Sequence, residues 1–153
     1  MDINITIVPE AVRLARVETK AQVLAVLSAC LAEVYDLDVS EVLEGLETRE
    51  ALGSTGFGRG IAIPHCRDSS VRKPTLAVFK LEHPVDFAAA DAQPVSLVFG
   101  LVSPENAGAT HLHALAAISR LMRDESKLQA LADAPDAEAL YAVLTNQFLR
   151  DAA

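Results

Sequence analysis

The chain has 153 residues, with 13 Lys and Arg against 21 Asp and Glu, a formal net charge of −8. At 51% hydrophobic and 22% charged, residues 1–153 read as one folded domain, not a disordered tail. The acidic excess opposes phosphate backbones and anionic lipid, which argues against nucleic acid as a partner.

Val12 to Val17 alternate apolar and polar and suggest a short strand. Thr19 with Gln22 makes a capping box, so a helix should begin there. Its buried stripe is Val23, Leu24, Leu27, Cys30, Leu31, Val34 and Tyr35, ending near Asp36. Asp38 and Glu41 start a second helix, with Val39, Val42, Leu43 and Leu46 as its buried face and Gly53 as a stop. Three strand-like runs follow, Gly60 to Pro64, Thr75 to Leu81 and Val95 to Val102, with Pro84 and Pro94 framing the loop between the last two. A helix over Thr110 to Met122 carries Leu112, Leu115, Ile118 and Met122 on one side, and Asp124 and Asp136 open two more, the last reaching about Leu149. The order β-α-α-β-β-β-α-α-α predicts an α/β fold with helices packed on a central sheet.

Met1-Asp2-Ile3-Asn4 lacks the charge of a signal peptide, and no run of about 18 apolar residues exists to cross a membrane. A cytoplasmic protein with no membrane insertion is expected. Cys30 and Cys66 are distant in sequence and neither lies in a CxxC, which favours reduced thiols over a disulfide framework or zinc ribbon.

The most unusual stretch runs from Gly53 to Arg67. Four of the seven glycines fall in its first eight positions, so its N–H groups could turn toward an anion or simply connect a helix to a strand. It is no Walker loop, because no Gly-Lys-Ser/Thr ends it. After Ile61-Ala62-Ile63, Pro64 should stop the ladder and hold His65 at a sheet edge or C-terminal rim, where its imidazole can serve as nucleophile, base, ligand or structural donor. His111-Leu112-His113 forms a second candidate. Helical residues two apart point about 200° away from each other, so both histidines cannot easily face one site, and Thr110 can cap that helix. His83 reads as a loop residue.

Gly56-Phe57-Gly58-Arg59-Gly60-Ile61-Ala62-Ile63-Pro64-His65, preceded by Arg49-Glu50 and followed by Thr110-His111-Leu112-His113, resembles the enzyme IIA domain of the bacterial phosphoenolpyruvate-dependent phosphotransferase system, fructose/mannitol class. The resemblance runs from about Val8 to Leu149. Leu52-Gly53-Ser54-Thr55-Gly56, the Thr110–His113 segment and the absence of joined transporter domains look most like the nitrogen-regulatory enzyme IIA. It implies a three-layer α/β/α sandwich on a mixed sheet. It further implies that His65 accepts a phosphoryl group from the carrier protein HPr or its nitrogen-branch counterpart, with Arg49 and His111 stabilising the phosphate. No cofactor or metal is expected.

The phosphorylation state would then regulate targets such as a potassium transporter, a sensor kinase or a stringent-response enzyme. Ser54 and Thr55 can bond the phosphate or brace the loop. Cys66 stands where the family usually has glycine, and puts an oxidisable group beside the nucleophile. One alternative is a sugar-specific enzyme IIA that passes the phosphoryl to a IIB domain for fructose or mannitol uptake. A second, of another class, is a metal-binding hydrolase built from His65, Cys66, His111 and His113.

Overall fold

A computed structural model describes residues 5–106 and 108–152, with side chains as far as residue 146. Met1 to Asn4, read above for a missing signal sequence, and Ala107, in the loop before the second histidine pair, lie outside these residues. After a 3₁₀ turn at Pro9–Ala11, the elements are β1 (Val12–Ala15), α1 (Lys20–Tyr35), α2 (Val39–Ala51), β2 (Gly56–Gly58), β3 (Ile61–Ala62), β4 (His65–Asp68), β5 (Thr75–Val85), β6 (Val95–Pro104), α3 (Gly108–Arg123), α4 (Glu125–Asp133) and α5 (Ala137–Ala152). The six strands form one mixed sheet in the order β1-β5-β6-β3-β2, with β4 also paired to β6. β5 and β6 are antiparallel, while β1 runs parallel to β5, and β3 and β4 parallel to β6.

Alternation along the strands builds two cores. Ala77, Phe79, Val98 and Val102 face α1 and α2, whereas Leu76, Val78, Phe99 and Leu101 face α3, α4 and α5. The period of two sends successive side chains to opposite faces, so a strand covered on both sides must be apolar throughout. This is the three-layer sandwich expected. Gly100 lies where α1 approaches the sheet most closely: a Cβ there would stand 2.5 Å from Leu27 Cδ1.

The capping box at Thr19 forms, with Thr19 Oγ1 accepting from the Gln22 N–H and the Gln22 side chain accepting from the Thr19 N–H. Asp38, Asp124 and Asp136 likewise accept from the first turns of their helices. Other expectations shift. The run Gly60 to Pro64 is not one strand, because β2 and β3 make a hairpin turning at Arg59 and Gly60, both at positive φ. The ladder then continues past Pro64, whose carbonyl accepts from the Leu101 N–H, and β4 begins at His65. Proline lacks only a donor, so it interrupted the sequence pattern more than it interrupts the sheet.

Pro84 lies inside β5, next to a register shift, and not in the following loop. Val39 is exposed, and the buried face of α2 is Val42, Leu46 and Glu50. α3 starts at Gly108, so Thr110 sits inside it and does not cap it. Its buried face is His111, Ala114, Ala117, Ile118, Leu121 and Met122, leaving Leu112 exposed. Small alanines let that face approach β6, and the larger leucine turns outward.

Candidate functional site

The last turn of α2 delivers Arg49 and Glu50 side by side but on different faces, since adjacent helical residues diverge by about 100°. Glu50 follows Val42 and Leu46 at i+8 and i+4, which turns its carboxylate inward and leaves it 9% exposed. Its Oε1 meets Lys20 Nζ at 2.7 Å. The Thr55 N–H donates to both carboxylate oxygens, at 3.1 and 3.2 Å, and Thr55 Oγ1 donates to Oε2 at 2.6 Å. A buried carboxylate needs such partners, because stripping its water is otherwise strongly unfavourable. Arg49 stays half-buried, and its Nη1 donates to the Gly53 carbonyl at 2.8 Å. Among the described residues it pairs with none of Glu44, Glu47 or Glu50.

The glycine-rich loop is therefore braced from within. Ser54 Oγ donates to the Phe87 carbonyl and accepts from the Gly56 N–H. The Arg59 N–H donates to Asp91. The Thr55, Gly56 and Arg59 N–H groups are thus already bonded within the protein and are not free to cradle an anion. Its glycines serve the hairpin turn and a close approach: a Cβ on Gly56 would meet Ala89 Cβ at 2.7 Å.

His65 opens β4 opposite Leu101 and is half-buried. Its Nδ1 lies 2.8 Å from the Ile63 carbonyl. A carbonyl oxygen only accepts, so the ring proton sits on Nδ1 and the lone pair on Nε2. Burial lowers the His65 pKa below 6.5; the Ile63 bond opposes this, Arg49 adds to the lowering and Glu50 opposes it. The ring is thus held neutral with one free nitrogen, the state needed of a nucleophile, base or ligand near pH 7.

His111, from the first turn of α3, brings its ring centroid to 5.4 Å from that of His65, tilted by 49°. It is 6% exposed, and its Nδ1 lies 2.7 Å from Ser103 Oγ at the end of β6. Burial first, then the His65 and Arg67 charges, depress its pKa to about 4. Ser103 had no distinguishing signal in the sequence, nor had the Ile63 carbonyl, since every residue carries one, nor Lys20, whose partner Glu50 is distant along the chain.

The structure brings His65 and His111 together beside the end of β6, with the Arg49 charge acting on His65, and leaves the other candidates elsewhere. His113 is exposed on the opposite side of α3 from His111. Cys66 Sγ turns to α2, 3.2 Å from where a Cβ on Gly45 would lie, and burial raises its pKa to about 12. Alternation along β4 puts successive side chains on opposite faces, so Cys66 is adjacent to His65 in sequence but not in the site. His83 is exposed on β5. Among the described residues, no three His, Cys, Asp or Glu side chains gather as a metal set, and no helix is long and apolar enough to cross a membrane. A cavity of about 570 Å³, lined by Arg59, Lys80, Ser96, Leu97 and Leu131 among others, contains none of the three site residues.

Comparison with known proteins identifies the family and the fold. The nitrogen regulatory protein of Bradyrhizobium diazoefficiens is 43% identical over 145 residues, covering 94% of this chain and 95% of that protein. That of Pseudomonas aeruginosa is 43% identical over 129 residues, 84% of each. The crystal structure of the nitrogen regulatory protein IIA-Ntr from Neisseria meningitidis superposes with a TM-score of 0.80 at 36% identity, covering 89% of this chain and 94% of that one. Residues 7–147 match the family described as phosphoenolpyruvate-dependent sugar phosphotransferase system, EIIA 2. The same fold, nearly full coverage and a match running through the histidine site lead to one conclusion: the chain belongs to the EIIA 2 family of the phosphotransferase system.

Proposed function

We propose that the protein is a phosphoryl carrier in which His65 Nε2 accepts a phosphoryl group from the phosphohistidine of HPr or its nitrogen-branch counterpart, and that its phosphorylation state regulates other proteins. The observation that carries this reading is the Nδ1–H bond to the Ile63 carbonyl, which leaves Nε2 unprotonated and aimed by a rigid backbone. Transfer forms the Nε2–P bond as the donor's N–P bond breaks. The phosphoryl is loose and metaphosphate-like, so the protein's part is alignment and charge stabilisation, with no nucleotide site needed.

His111 donates its Nε2 proton to a phosphoryl oxygen in the tautomer whose Nδ1 accepts the Ser103 hydroxyl. Arg49 supplies the permanent cation, and its planar fork matches two such oxygens. The regulatory role rests on the similarity to nitrogen regulatory proteins. The implied compartment is the cytoplasm, and the implied targets are of the potassium-transporter and sensor-kinase type.

Intact-mass analysis after incubation with phosphoenolpyruvate, enzyme I and carrier protein of either branch tests the reading. Wild type should gain one acid-labile phosphoryl group and His65→Ala none. Arg49→Leu should slow the gain by about 10²–10³-fold, the scale for losing a charge-stabilising donor, while His113→Ala stays near wild type. Full labelling of His65→Ala overturns the assignment. Rapid discharge to a IIB domain, in place of a persistent phosphoprotein, would convert the regulator into a sugar-uptake component.

A further inference from the structure

Lys20 occupies the first position of α1, directly after the N-cap Thr19. A cation there is unfavourable, because the helix N-terminus carries the positive end of the macrodipole. The residue is nevertheless well held. Its Nζ meets Glu50 Oε1 at 2.7 Å, donates to the Phe87 carbonyl at 3.3 Å and lies 5.2 Å from the Phe87 ring centroid. Its explanation lies in what Glu50 does, not in α1.

From Glu50 a continuous line of hydrogen bonds leads to His65. The carboxylate takes both the N–H and the hydroxyl of Thr55. The Thr55 carbonyl accepts from the Ile63 N–H at 2.9 Å. The Ile63 carbonyl accepts from His65 Nδ1 at 2.8 Å. Thr55 is thus gripped on its donor side by Glu50 and on its acceptor side by Ile63. Glu50 and His65 are thereby linked through the backbone of Thr55 and Ile63.

We infer that Lys20 is a positioning residue for His65: by pinning the Glu50 carboxylate it holds the Thr55–Ile63 backbone that keeps the His65 proton on Nδ1 and Nε2 free. The Lys20–Glu50 pair is mostly withdrawn from solvent, with the two side chains 28% and 6% exposed. Desolvation offsets much of the attraction in a pair so placed, so net stability alone does not account for it. Without Lys20, the buried carboxylate must find water or another donor, and the Thr55 bonds are the ones it would loosen. The significance for phosphoryl transfer rests on the proposed role of His65, but the positional link can be read without it.

The experiment uses the full chain as Lys20→Met and Lys20→Arg, with Lys80→Met as a control. Lys80 Nζ donates to the Ala132 and Ala134 carbonyls at the end of α4, on the other face of the sheet, so its loss weakens the fold without touching this line. Imidazole ¹⁵N shifts of His65 above its titration range report the tautomer, and the initial rate of phosphorylation by carrier protein reports its use. Lys20→Met should turn a single Nδ1–H tautomer into a mixture and slow phosphorylation by roughly three- to tenfold, the factor matching the net worth of one hydrogen bond. Lys20→Arg should restore both, and Lys80→Met should change neither.

If Lys20→Met does not fold, the double variant Lys20→Met/Glu50→Gln removes the unpaired charge and should show the same tautomer mixture. An unchanged tautomer in the folded variant, or an equal change in Lys80→Met, overturns the inference. A wild type that no carrier phosphorylates, with a tautomer that still responds to Lys20, refutes the phosphoryl role while the positional link stands.

Discussion

Acidification should weaken the fold through His111. The ring is buried, and burial lowers its pKa from 6.5 to about 4, with His65 and Arg67 adding to the shift. Between those values the unfolded chain binds a proton that the folded one refuses, so this contribution is complete above the unfolded pKa and is lost as pH falls toward the folded one. Each pH unit inside the window is worth about 1.4 kcal/mol, and the step from about pH 6.5 to about pH 5 therefore spans about 2 kcal/mol. His65 beside it is only half-buried, and water reaching the rim screens part of this, so about 1–2 kcal/mol is expected.

His65, also lowered by burial, adds in the same direction. The depressed carboxylates of Asp91 and Asp124 act below their ordinary value of 3.8, outside the window. Urea unfolding of wild type and His111→Gln at about pH 7.5 and about pH 5 isolates the effect. Wild type should lose about 1–2 kcal/mol more than the variant on acidification. Equal losses in the two proteins would refute the reasoning, because the ring would then be as free to take a proton folded as unfolded.

Gly100→Ala should destabilise by about 1–3 kcal/mol, since its new methyl would overlap Leu27 and force α1 off the sheet. In denaturant unfolding, pairing it with Leu27→Ala should recover part of the loss, and strict additivity would show that the two side chains do not compete for the same space. Cys66, buried and with its pKa pushed up to about 12, should resist iodoacetamide at about pH 8 in the folded protein and react at the rate of an ordinary thiol only after unfolding. Fast labelling of the native chain would place the thiol within reach of solvent.

The helices of the first half were legible because their signals are local. The Thr19–Gln22 box and Asp38 lie within one turn of the N–H groups they satisfy. His65 was legible for a similar reason, since the Ile61-Ala62-Ile63-Pro64 run marks it within a few residues. Where two faces compete, local pattern misled. Leu112 is the more apolar residue of its turn, yet the helix buries His111 and Ala114, and Ser103 satisfies the buried imidazole. Pro64 likewise reads as a strand end, while its carbonyl carries the ladder onward to Leu101.

Composition, capping residues and the glycine–proline–histidine motif by themselves determined the fold class, the family and the candidate nucleophile, because each is set by chain chemistry over a few residues. Which nitrogen of His65 is free, which histidine faces it and what Glu50 bonds were decided only by tertiary structure. These depend on a carbonyl two residues away folding back onto the ring, on the rotation of α3 about its axis, and on Lys20 meeting Glu50 from 30 positions away. Chain folding creates such distances, and no local pattern encodes them.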